Sequence, residues 1–263
     1  MTASGTMISR HEGPIGYLIF NNPKRHNAVS LEMWEAVSAM LTDFAHDPKV
    51  RVVVLTGAGD KAFVAGADIS RFEEERSNQD AIAHYNAVTE KTFADLEGFA
   101  KPTIAMIRGY CIGGGLALAL GCDLRVCSDN SRFALPAAKL GLGYGFAGLK
   151  RFVEIVGPAF TKEIFFTGRQ FDASEAQAMG LVNRVVSESE LNAVVRRYAE
   201  SIAANAPLTV AGTKLIIREV LKDASQRDLE ACAAAVRRCY ASSDYIEGRS
   251  AFMEKRPPQF TGT

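Results

Sequence analysis

Short apolar runs and stretches of helical periodicity alternate through the first half of the chain. The runs 15–20 and 50–55 are β-branched or aromatic, and turn-forming residues follow each of them, which predicts two strands. The second run is almost entirely apolar, as expected of a strand that is buried on both faces. Between them, Ser30 can cap a helix because apolar residues recur after it at three- and four-residue steps. Those residues are Trp34, Val37, Leu41 and Phe44.

The alternation continues to residue 127 and predicts an α/β core. A long helix is predicted over 80–99, and strands are predicted over 103–108 and 123–127. Between these strands, the glycine triplet 113–115 leads into the short apolar segment 116–120. The apolar side of the long helix consists of Ile82, Tyr85, Val88 and Leu96.

After about residue 186 the pattern changes to amphipathic helices alone. Ala-Pro and Asp-Ala-Ser steps separate these helices. We therefore divide the chain into a core of residues 1–186 and a C-terminal helical region of residues 187–263, which packs on the core or on another subunit. The predicted helices cover 188–205, 208–222 and 225–242.

The charge balance and the uncharged stretches argue against two classes of protein. Thirty basic and thirty acidic residues give a formal net charge of zero, which argues against a dedicated nucleic-acid binder. The longest stretch without a charge, 109–122, contains several glycines and is shorter than the roughly twenty apolar residues of a membrane span. Residues 1–14 are polar and lack the apolar core of a signal peptide. We therefore expect a protein that neither binds nucleic acid nor enters a membrane.

Cysteines and histidines indicate neither a disulfide framework nor a metal centre. The five cysteines are odd in number and form no C-x-x-C pair, which favours reduced thiols and a cytoplasmic location. Cys232 and Cys239 share a face of a predicted helix and are expected in the core. The four histidines are scattered without the spacing of metal ligands, so no metal is expected.

The segment 143–148 satisfies the dinucleotide fingerprint G-x-G-x-x-G, but its context does not fit. The fingerprint belongs after the first strand of a βαβ unit, whereas this segment follows Pro136 and a Lys-Leu-Gly step. We interpret it as a flexible, glycine-rich active-site loop. The sequence contains neither a P-loop nor a G-x-S-x-G elbow, which leaves nucleotide hydrolysis and serine-hydrolase chemistry without their usual support.

Two other glycine sites suggest a shared chemical role. The first, 62–68, follows the buried strand, and the second, 109–115, leads from a strand into a helix. Glycine lets a backbone N–H approach a ligand closely, and a helix N-terminus presents free N–H groups. Two such donors on one oxygen make an oxyanion hole. The alternative is two unrelated tight turns, and spacing alone leaves both interpretations open.

Several motifs lie along nearly the whole chain in a fixed order and spacing. They are Asn22 to Ala28, Ala65 to Ile69, Gly109 to Gly115, Gly121 to Asp123, Phe165 to Gly168 with Ala173 to Val182, and Ala251 to Arg256. In this order and spacing the chain resembles the crotonase (enoyl-CoA hydratase/isomerase) superfamily. The resemblance implies a core of β-β-α superhelical turns, a helical C-terminal region that forms trimer contacts, and CoA-thioester substrates. It implies no cofactor besides the CoA of the substrate, and it implies a homotrimer or a dimer of trimers.

The resemblance also assigns roles to single residues. Ala67 and Gly114, the middle glycine of the triplet, would supply the two N–H donors to the thioester carbonyl. Backbone near the Pro-x-x-x-Asn-Ala segment would lie along CoA, and the basic C-terminal pair would reach CoA phosphates, sometimes from a neighbouring subunit. The alternative for the basic side chains is solvated surface charge. The expected CoA contacts are Lys24, Arg25, Ala28, Ala65, Gly66, Asp68, Ile69, Lys255 and Arg256, and the expected acyl pocket contains Ala117, Leu135, Ala137 and Leu142.

Two alanines stand where the resemblance places the catalytic glutamates of the hydratases. One position lies two residues past the third glycine and the other directly after Pro136, and they hold Ala117 and Ala137. Hydration needs groups that activate water and deliver a proton, which methyl groups cannot do. Asp68 and Asp123 belong to the general pattern of the family and do not replace the pair. Ordinary hydration through that pair is therefore not expected.

Three kinds of activity remain open. The first is decarboxylation of a malonyl-type thioester, which needs mainly the oxyanion hole. Tyr144 resembles in position a tyrosine of the methylmalonyl-CoA decarboxylases and would hydrogen-bond the acyl group, although Ala67 stands where those enzymes have a histidine. The alternative for Tyr144 is an ordinary tyrosine of the pocket wall. The second is hydration, isomerisation or C–C cleavage with an acid from elsewhere, such as Glu154, Asp68 or a partner subunit.

The third is non-catalytic binding of acyl-CoA, against which both glycine sites argue, since binding alone needs no hole shaped for an enolate. The sequence does not name the acyl group. Its apolar neighbours suit a greasy acyl chain and core packing equally well; they are Phe133, Leu135, Leu142 and Phe146.

Overall fold

Two sheets organise the larger part of the chain. The computed structural model describes residues 5–71, 75 and 77–263. In chain order its strands are β1 (Thr6–Glu12), β2 (Ile15–Asn21), β3 (Val52–Gly57), β4 (Ala62–Val64), β5 (Thr103–Ile107), β6 (Tyr110–Ile112), β7 (Leu124–Ser128), β8 (Arg132–Ala134), β9 (Phe171–Asp172) and β10 (Arg184–Val186).

The strands β3 to β8 alternate between the two sheets. The larger sheet has the order β1-β2-β3-β5-β7-β10 and is parallel from β2 onwards, after the antiparallel β1–β2 hairpin. The smaller sheet has the order β4-β6-β8-β9, with β4, β6 and β8 parallel. The pairs β3–β4, β5–β6 and β7–β8 each contribute one strand to each sheet and are each followed by a helix. This repetition confirms the predicted α/β core of β-β-α turns.

Helices surround these sheets and then continue alone to the C-terminus. Ser30 caps the first helix, since its side chain accepts a hydrogen bond from the Met33 N–H, as the sequence predicts. Asn78 caps the second helix in the same way through the Ala81 N–H. The helices are α1 (Leu31–His46), α2 (Gln79–Gly98), α3 (Gly114–Gly121), α4 (Phe146–Thr167), α5 (Ala173–Ala178), α6 (Leu191–Ala203), α7 (Pro207–Val220), α8 (Leu229–Ala241) and α9 (Ser243–Glu254).

Strand β3 is apolar throughout because both of its faces are covered. Successive side chains of a strand point to opposite faces. Val53 and Leu55 belong to the main core cluster, which also contains the buried face of α1. Val52 and Val54 belong to a second cluster, to which α6 contributes Leu191, Val195 and Ala199. The first C-terminal helix therefore packs on the core, while the division of the chain at residue 186 stays a prediction.

Two elements differ from the expectations drawn from the sequence. Strand β1 was not expected, because its side chains are mostly exposed at the sheet edge and form no apolar run. Helix α4 begins at Phe146, inside the segment 143–148 that was expected to be a loop. Only the first three residues of that segment precede the helix.

Four side chains are less buried than their periodicity suggested, among them Val88, which is half-buried. Ile82 is 42% exposed, because α2 borders a cavity at this point. Cys232 and Cys239 are half-buried, because helix α8 buries no residue completely. No helix within the described ranges is long and apolar enough to cross a membrane.

Candidate active site

A cavity of about 470 Å³ lies where the two glycine sites meet. Residues of α1 and α2 line it together with the segments that follow β4, β6 and β8. The residues predicted from the sequence that line it are Ala65, Gly66, Ala67, Ile69, Gly114, Ala117, Leu135, Ala137, Leu142 and Tyr144. The structure therefore brings together the proposed N–H donors, the acyl pocket and part of the expected CoA contacts.

The two glycine sites meet because β4 and β6 are parallel neighbours in the smaller sheet. The segments that leave these strands therefore emerge at the same edge. Gly115 allows the contact to be close, since a Cβ at this position would lie 2.1 Å from the carbonyl oxygen of Val64. The Cα of Gly66 lies 4.0 Å from the place of a Cβ on Gly114.

The backbone around Ala67 leaves its N–H without a partner. Val29 donates its N–H to the carbonyl of Gly66 at 2.9 Å, and the Asp68 N–H donates to the carbonyl of Val29 at 2.9 Å. The N–H of Ala67 lies between these two bonds and points to the other side of the extended segment. Among the described residues it has no hydrogen-bond acceptor.

The N–H of Gly114 is likewise available. Gly113 precedes α3 with φ +55°, a left-handed conformation that glycine adopts without strain, and Gly114 is the first helical residue. The first N–H groups of a helix have no intrahelical acceptor and lie at the positive end of the helix dipole. Within the described part of the chain, no other group accepts from the Gly114 N–H.

The described part of the cavity wall carries few ionisable groups. Its described residues include two tyrosines, Tyr85 and Tyr144, and no carboxylate, imidazole, thiol, ammonium or guanidinium group. Ala117 on α3 and Ala137 after β8 both line the cavity. Carboxylates at these positions would reach the cavity, whereas the methyl groups present there supply neither an acid nor a base.

Tyr85 is a site residue that the sequence did not reveal. Its hydroxyl accepts a hydrogen bond from the indole Nε1–H of Trp34 at 3.1 Å, and both side chains are buried and line the cavity. In the sequence, both residues match the apolar periodicity of their helices, which predicts that they lie in the core. The sequence carries no signal that separates a tyrosine packed in the core from one at a cavity wall.

Tyr144 also lines the cavity and lies just before α4. Its ring packs edge-on against Phe165, with the ring centres 5.0 Å apart. Burial raises the pKa of the Tyr144 phenol, and the neighbouring Tyr85 raises it further. The hydroxyl therefore stays protonated at neutral pH and can donate a hydrogen bond.

Asp68 lies beside the cavity and not in its wall. Arg25 binds it at 2.8 Å, and the Ser70 hydroxyl donates to it at 2.6 Å. Burial alone would raise the pKa of Asp68, but the hydrogen bonds from Ser70 and Arg25 outweigh burial and lower it. Asp68 is thus an ionised, fully engaged carboxylate, which fits a structural role better than that of a general base.

The expected basic and apolar contacts are only partly assembled around the cavity. Lys24 and Arg25 lie on the surface in the short turn Pro23–Arg25, and Ala28 is buried beside it. Of the four apolar neighbours named from the sequence, Leu135 and Leu142 line the cavity. Phe133 is buried against Phe171, and Phe146 is 84% exposed.

The C-terminal basic pair is not part of the cavity wall. Arg256 binds both carboxylate oxygens of Glu247, at 2.6 and 2.9 Å, and also contacts Glu254 at 2.6 Å. The hydrogen bonds from Arg256 lower the pKa of Glu247 to about 2. Lys255 ends helix α9 in a left-handed conformation. Within one chain, Arg256 is therefore engaged in its own terminal segment.

No group of His, Cys, Asp and Glu side chains among the described residues could hold a metal ion. The buried thiols of Cys111, Cys122 and Cys127 have raised pKa values, chiefly through burial, so they are protonated core residues.

Comparison with known proteins gives consistent matches along the chain. The family model described as enoyl-CoA hydratase/isomerase matches residues 10–263. The short-chain-enoyl-CoA hydratase of Clostridium acetobutylicum is 35% identical over 95% of each chain. The carnitinyl-CoA dehydratase of Salmonella typhi is 37% identical over 95% of this chain and 96% of its own.

Solved structures agree with these sequence matches. A structure described as an enoyl-CoA hydratase/carnithine racemase from Magnetospirillum magneticum superposes with a TM-score of 0.93. It is 36% identical and covers 98% of this chain and 96% of its own. The enoyl-CoA hydratase of Bacillus anthracis superposes with a TM-score of 0.91 at 31% identity, over 98% of this chain and 99% of its own.

Proposed function

Because the chain belongs to the enoyl-CoA hydratase/isomerase family, we propose that it is an enzyme that stabilises the enolate of an acyl-CoA thioester. The N–H groups of Ala67 and Gly114 bind the thioester oxygen and hold the negative charge that develops on it. The observation that carries the proposal is the meeting of these two donors, neither of which has an acceptor among the described residues. Fixed donors aimed at a developing charge lower the barrier because they need no reorganisation.

The proposed reaction does not require carboxylates at positions 117 and 137, which hold Ala117 and Ala137 in this chain. Hydratases and a dehydratase are among the named relatives, which makes hydration the first activity to test. The wall of this cavity offers methyl groups at both positions and, among the described residues, only phenols as ionisable groups. We therefore expect weak hydration of simple enoyl thioesters.

Decarboxylation of a malonyl-type thioester is the second candidate, and the absence of charged groups from the described part of the cavity wall favours it. When the C–C bond to the carboxylate breaks, its electron pair becomes the enolate and CO2 leaves, so no base is required. The enolate carbon then takes up a proton from solvent water. A carboxylate beside the departing group would repel it, and the described wall has none. Tyr144 supplies a neutral hydroxyl that can donate to the acyl group.

CoA binding uses the surface next to the cavity. We assign the CoA contacts to Lys24 and Arg25 from this chain and to Lys255 and Arg256 from a neighbouring subunit. Such a neighbour requires an oligomer, and we expect a homotrimer or a dimer of trimers. This oligomer would cover apolar side chains of the C-terminal helices that are exposed in the single chain. They include Ile217, Val220, Leu229, Tyr240, Ile246, Phe252 and Met253. Light scattering on the purified protein measures its mass.

A panel of thioesters tests the proposed function. The protein is incubated with crotonyl-, malonyl-, methylmalonyl- and 3-hydroxyacyl-CoA, and the products are identified by mass spectrometry. If the protein stabilises an enolate, it turns over at least one of these thioesters. That turnover falls in a variant that lacks the Gly114 N–H. Binding without any product supports the non-catalytic alternative, and absence of acyl-CoA binding overturns the proposal.

A further inference from the structure

Arg125 is a buried cation that lies outside the cavity wall. It belongs to β7 and is only 7% exposed. Its guanidinium group donates to three backbone carbonyls, those of Cys122 at 2.7 Å, Leu181 at 2.8 Å and Ala119 at 3.4 Å. Among the described residues, no carboxylate forms an ion pair with it. Because a buried charge is costly to keep without a counter-charge, its surroundings indicate what it acts on.

Two of these carbonyls lie at the C-terminal end of α3. Ala119 is in the last turn of the helix, and Cys122 follows its last residue. The carbonyls at the end of a helix form the negative pole of the helix dipole. Helix α3 consists of glycine, alanine and leucine only, so it carries no charged side chain of its own. Arg125 therefore adds a full positive charge at the negative pole of this helix.

The other end of α3 carries the proposed oxyanion donor. Gly114 is its first residue and precedes Ala119 by five positions, a rise of about 7.5 Å. The guanidinium group thus lies roughly 10–12 Å from an oxygen bound at the Gly114 N–H. Water screens this distance weakly, since most of α3 is buried. With an effective dielectric constant of about 20, one charge at this distance favours an opposite charge by roughly tenfold.

The neighbouring ionisable groups leave this positive charge in place. The Asp123 carboxylate is exposed and binds the Lys214 ammonium at 2.8 Å, so it is balanced by another cation. Burial raises the pKa of the Cys122 thiol to about 12, which keeps it neutral at physiological pH. Burial also lowers the pKa of Arg125, but a guanidinium group stays protonated in proteins.

We propose that Arg125 is a positioning residue of the oxyanion hole, which holds α3 at one end and stabilises the enolate oxygen at the other end through its charge. This inference rests on the proposed function, because it places the thioester oxygen at the Gly114 N–H. Arg125 supplies from behind α3 the positive charge that the described part of the cavity wall does not carry. From there it favours the enolate without offering a substrate carboxylate a direct ion pair.

Acetoacetyl-CoA reports the stabilisation of an enolate directly. The carbon between its two carbonyls releases a proton to solvent, and the enolate that forms absorbs in the near ultraviolet, unlike the keto form. Titration of the complex gives the pH at which half of the bound ligand is enolate. If the protein binds the enolate more tightly than the keto form, this midpoint lies below that of the free ligand.

Two substitutions separate the charge of Arg125 from its hydrogen bonds. Arg125→Gln keeps an N–H donor and removes the charge, whereas Arg125→Lys keeps the charge and loses the planar fork. The midpoint should rise by about one pH unit in Arg125→Gln, which corresponds to the tenfold effect, and by much less in Arg125→Lys. Urea unfolding of each variant shows the range of pH over which it is folded.

Arg51→Gln is the matched control. Arg51 also donates to a backbone carbonyl, that of Phe260 at 2.9 Å, but it precedes β3 and does not line the cavity. We expect Arg51→Gln to leave the midpoint unchanged even where it lowers stability. A purely structural role of Arg125 would give the same result in Arg125→Gln and overturn the inference. Equal shifts in Arg125→Gln and Arg125→Lys overturn it as well, because the charge then has no part in the effect.

Asp123→Asn keeps the inference testable if Arg125→Gln does not fold. This exposed substitution removes a negative charge next to the same end of α3, so the midpoint should fall. An unchanged midpoint in Asp123→Asn shows that charge does not act through the helix. The proposed function has a separate criterion: it fails if bound and free acetoacetyl-CoA have the same midpoint in the natural protein. A lowered midpoint that none of these charges affects overturns only the role of Arg125.

Discussion

The guanidinium group of Arg25 binds both carboxylate oxygens of Asp68, at 2.8 and 3.0 Å. Asp68 follows Ala67 directly and also accepts hydrogen bonds from the N–H and hydroxyl of Ser70. The ion pair therefore ties the turn at Pro23–Arg25 to the loop that carries one of the proposed N–H donors. A carboxylate that lies outside the cavity wall is therefore anchored directly next to a residue that lines it.

Replacement of Asp68 by alanine should lower turnover without removing a group that touches substrate. Loss of its hydrogen bonds frees the loop, and we expect kcat/KM to fall by about tenfold because the Ala67 N–H is displaced. Stability should fall by about 1–3 kcal/mol, towards the lower end because the Arg25 side chain is half exposed. Steady-state kinetics and urea unfolding measure both effects. Unchanged kinetics in Asp68→Ala would exclude this positioning role.

Asp68 should also make stability depend on acid pH. Burial raises its pKa, but the bonds from Ser70 and Arg25 outweigh burial, so the pKa of the folded state lies below the unfolded value. Its contribution is therefore complete above the unfolded pKa of about 3.9 and is lost as pH falls through the folded pKa. Urea unfolding at about pH 6 and about pH 3 should show a larger loss for the natural protein than for Asp68→Asn.

Gly114→Pro should remove one donor from the proposed oxyanion hole. Proline suits the first position of a helix, where its missing N–H breaks no helical bond. We expect kcat to fall by roughly 10²–10³. Gly114→Ala is the matched control, since it places the same Cβ at 3.3 Å from the Trp34 ring but keeps the N–H. Equal activity of the two variants contradicts the donor role of Gly114.

Glutamates at Ala117 and Ala137 should confer hydration of crotonyl-CoA. Both positions line the cavity, so the two carboxyl groups would reach a bound enoyl group. The expected gain is roughly 10²-fold or more, the usual contribution of positioned acids and bases. Hydration is measured as the loss of the enoyl absorbance. The assay covers a range of pH, because the apolar wall raises the pKa of a carboxyl group.

Glutamines at the same two positions have the same shape but cannot transfer protons. A double-glutamate variant no faster than the double-glutamine variant would show that the cavity lacks more than two acids. Fast hydration by the natural protein would refute the interpretation of Ala117 and Ala137 directly.

Tyr144→Phe should separate the decarboxylase candidate from the other activities. If the Tyr144 hydroxyl holds the malonyl carboxylate, the variant loses most of its decarboxylation and keeps its affinity for isovaleryl-CoA. Release of CO2 from malonyl-CoA measures the first effect and ligand displacement the second. If Tyr144→Phe decarboxylates malonyl-CoA as fast as the natural protein, Tyr144 only forms part of the cavity wall.

Gly115→Ala should destabilise the fold because the added methyl group would overlap neighbouring backbone. The new Cβ would lie 2.1 Å from the Val64 carbonyl oxygen, so α3 would have to move away from β4. Overpacking of this kind costs about 1–3 kcal/mol or more. Gly98→Ala provides the control, because a Cβ there meets no atom within 4 Å. Equal unfolding midpoints for the two variants would show that α3 shifts at little cost.

Local pattern was sufficient for the elements that are buried on a regular face. The strand at 50–55 and the helix after Ser30 match β3 and α1, because burial of alternate or every third to fourth residue is written directly in the sequence. The same criterion missed β1, whose exposed edge carries no such pattern. It also predicted that Ile82 is buried, whereas its side chain lines the cavity. A cavity wall and a core have the same apolar periodicity.

The sequence by itself determined the α/β class, the two glycine sites and the alanines at 117 and 137, because residue type and spacing are local properties. Only the tertiary structure decided which side chains contact each other. It joined Trp34 on α1 to Tyr85 on α2 at the cavity, engaged Arg25 with Asp68, and kept Arg256 with Glu247. These pairings depend on how elements distant in the chain pack together. Helical or strand periodicity records that a position is buried and does not record which partner covers it.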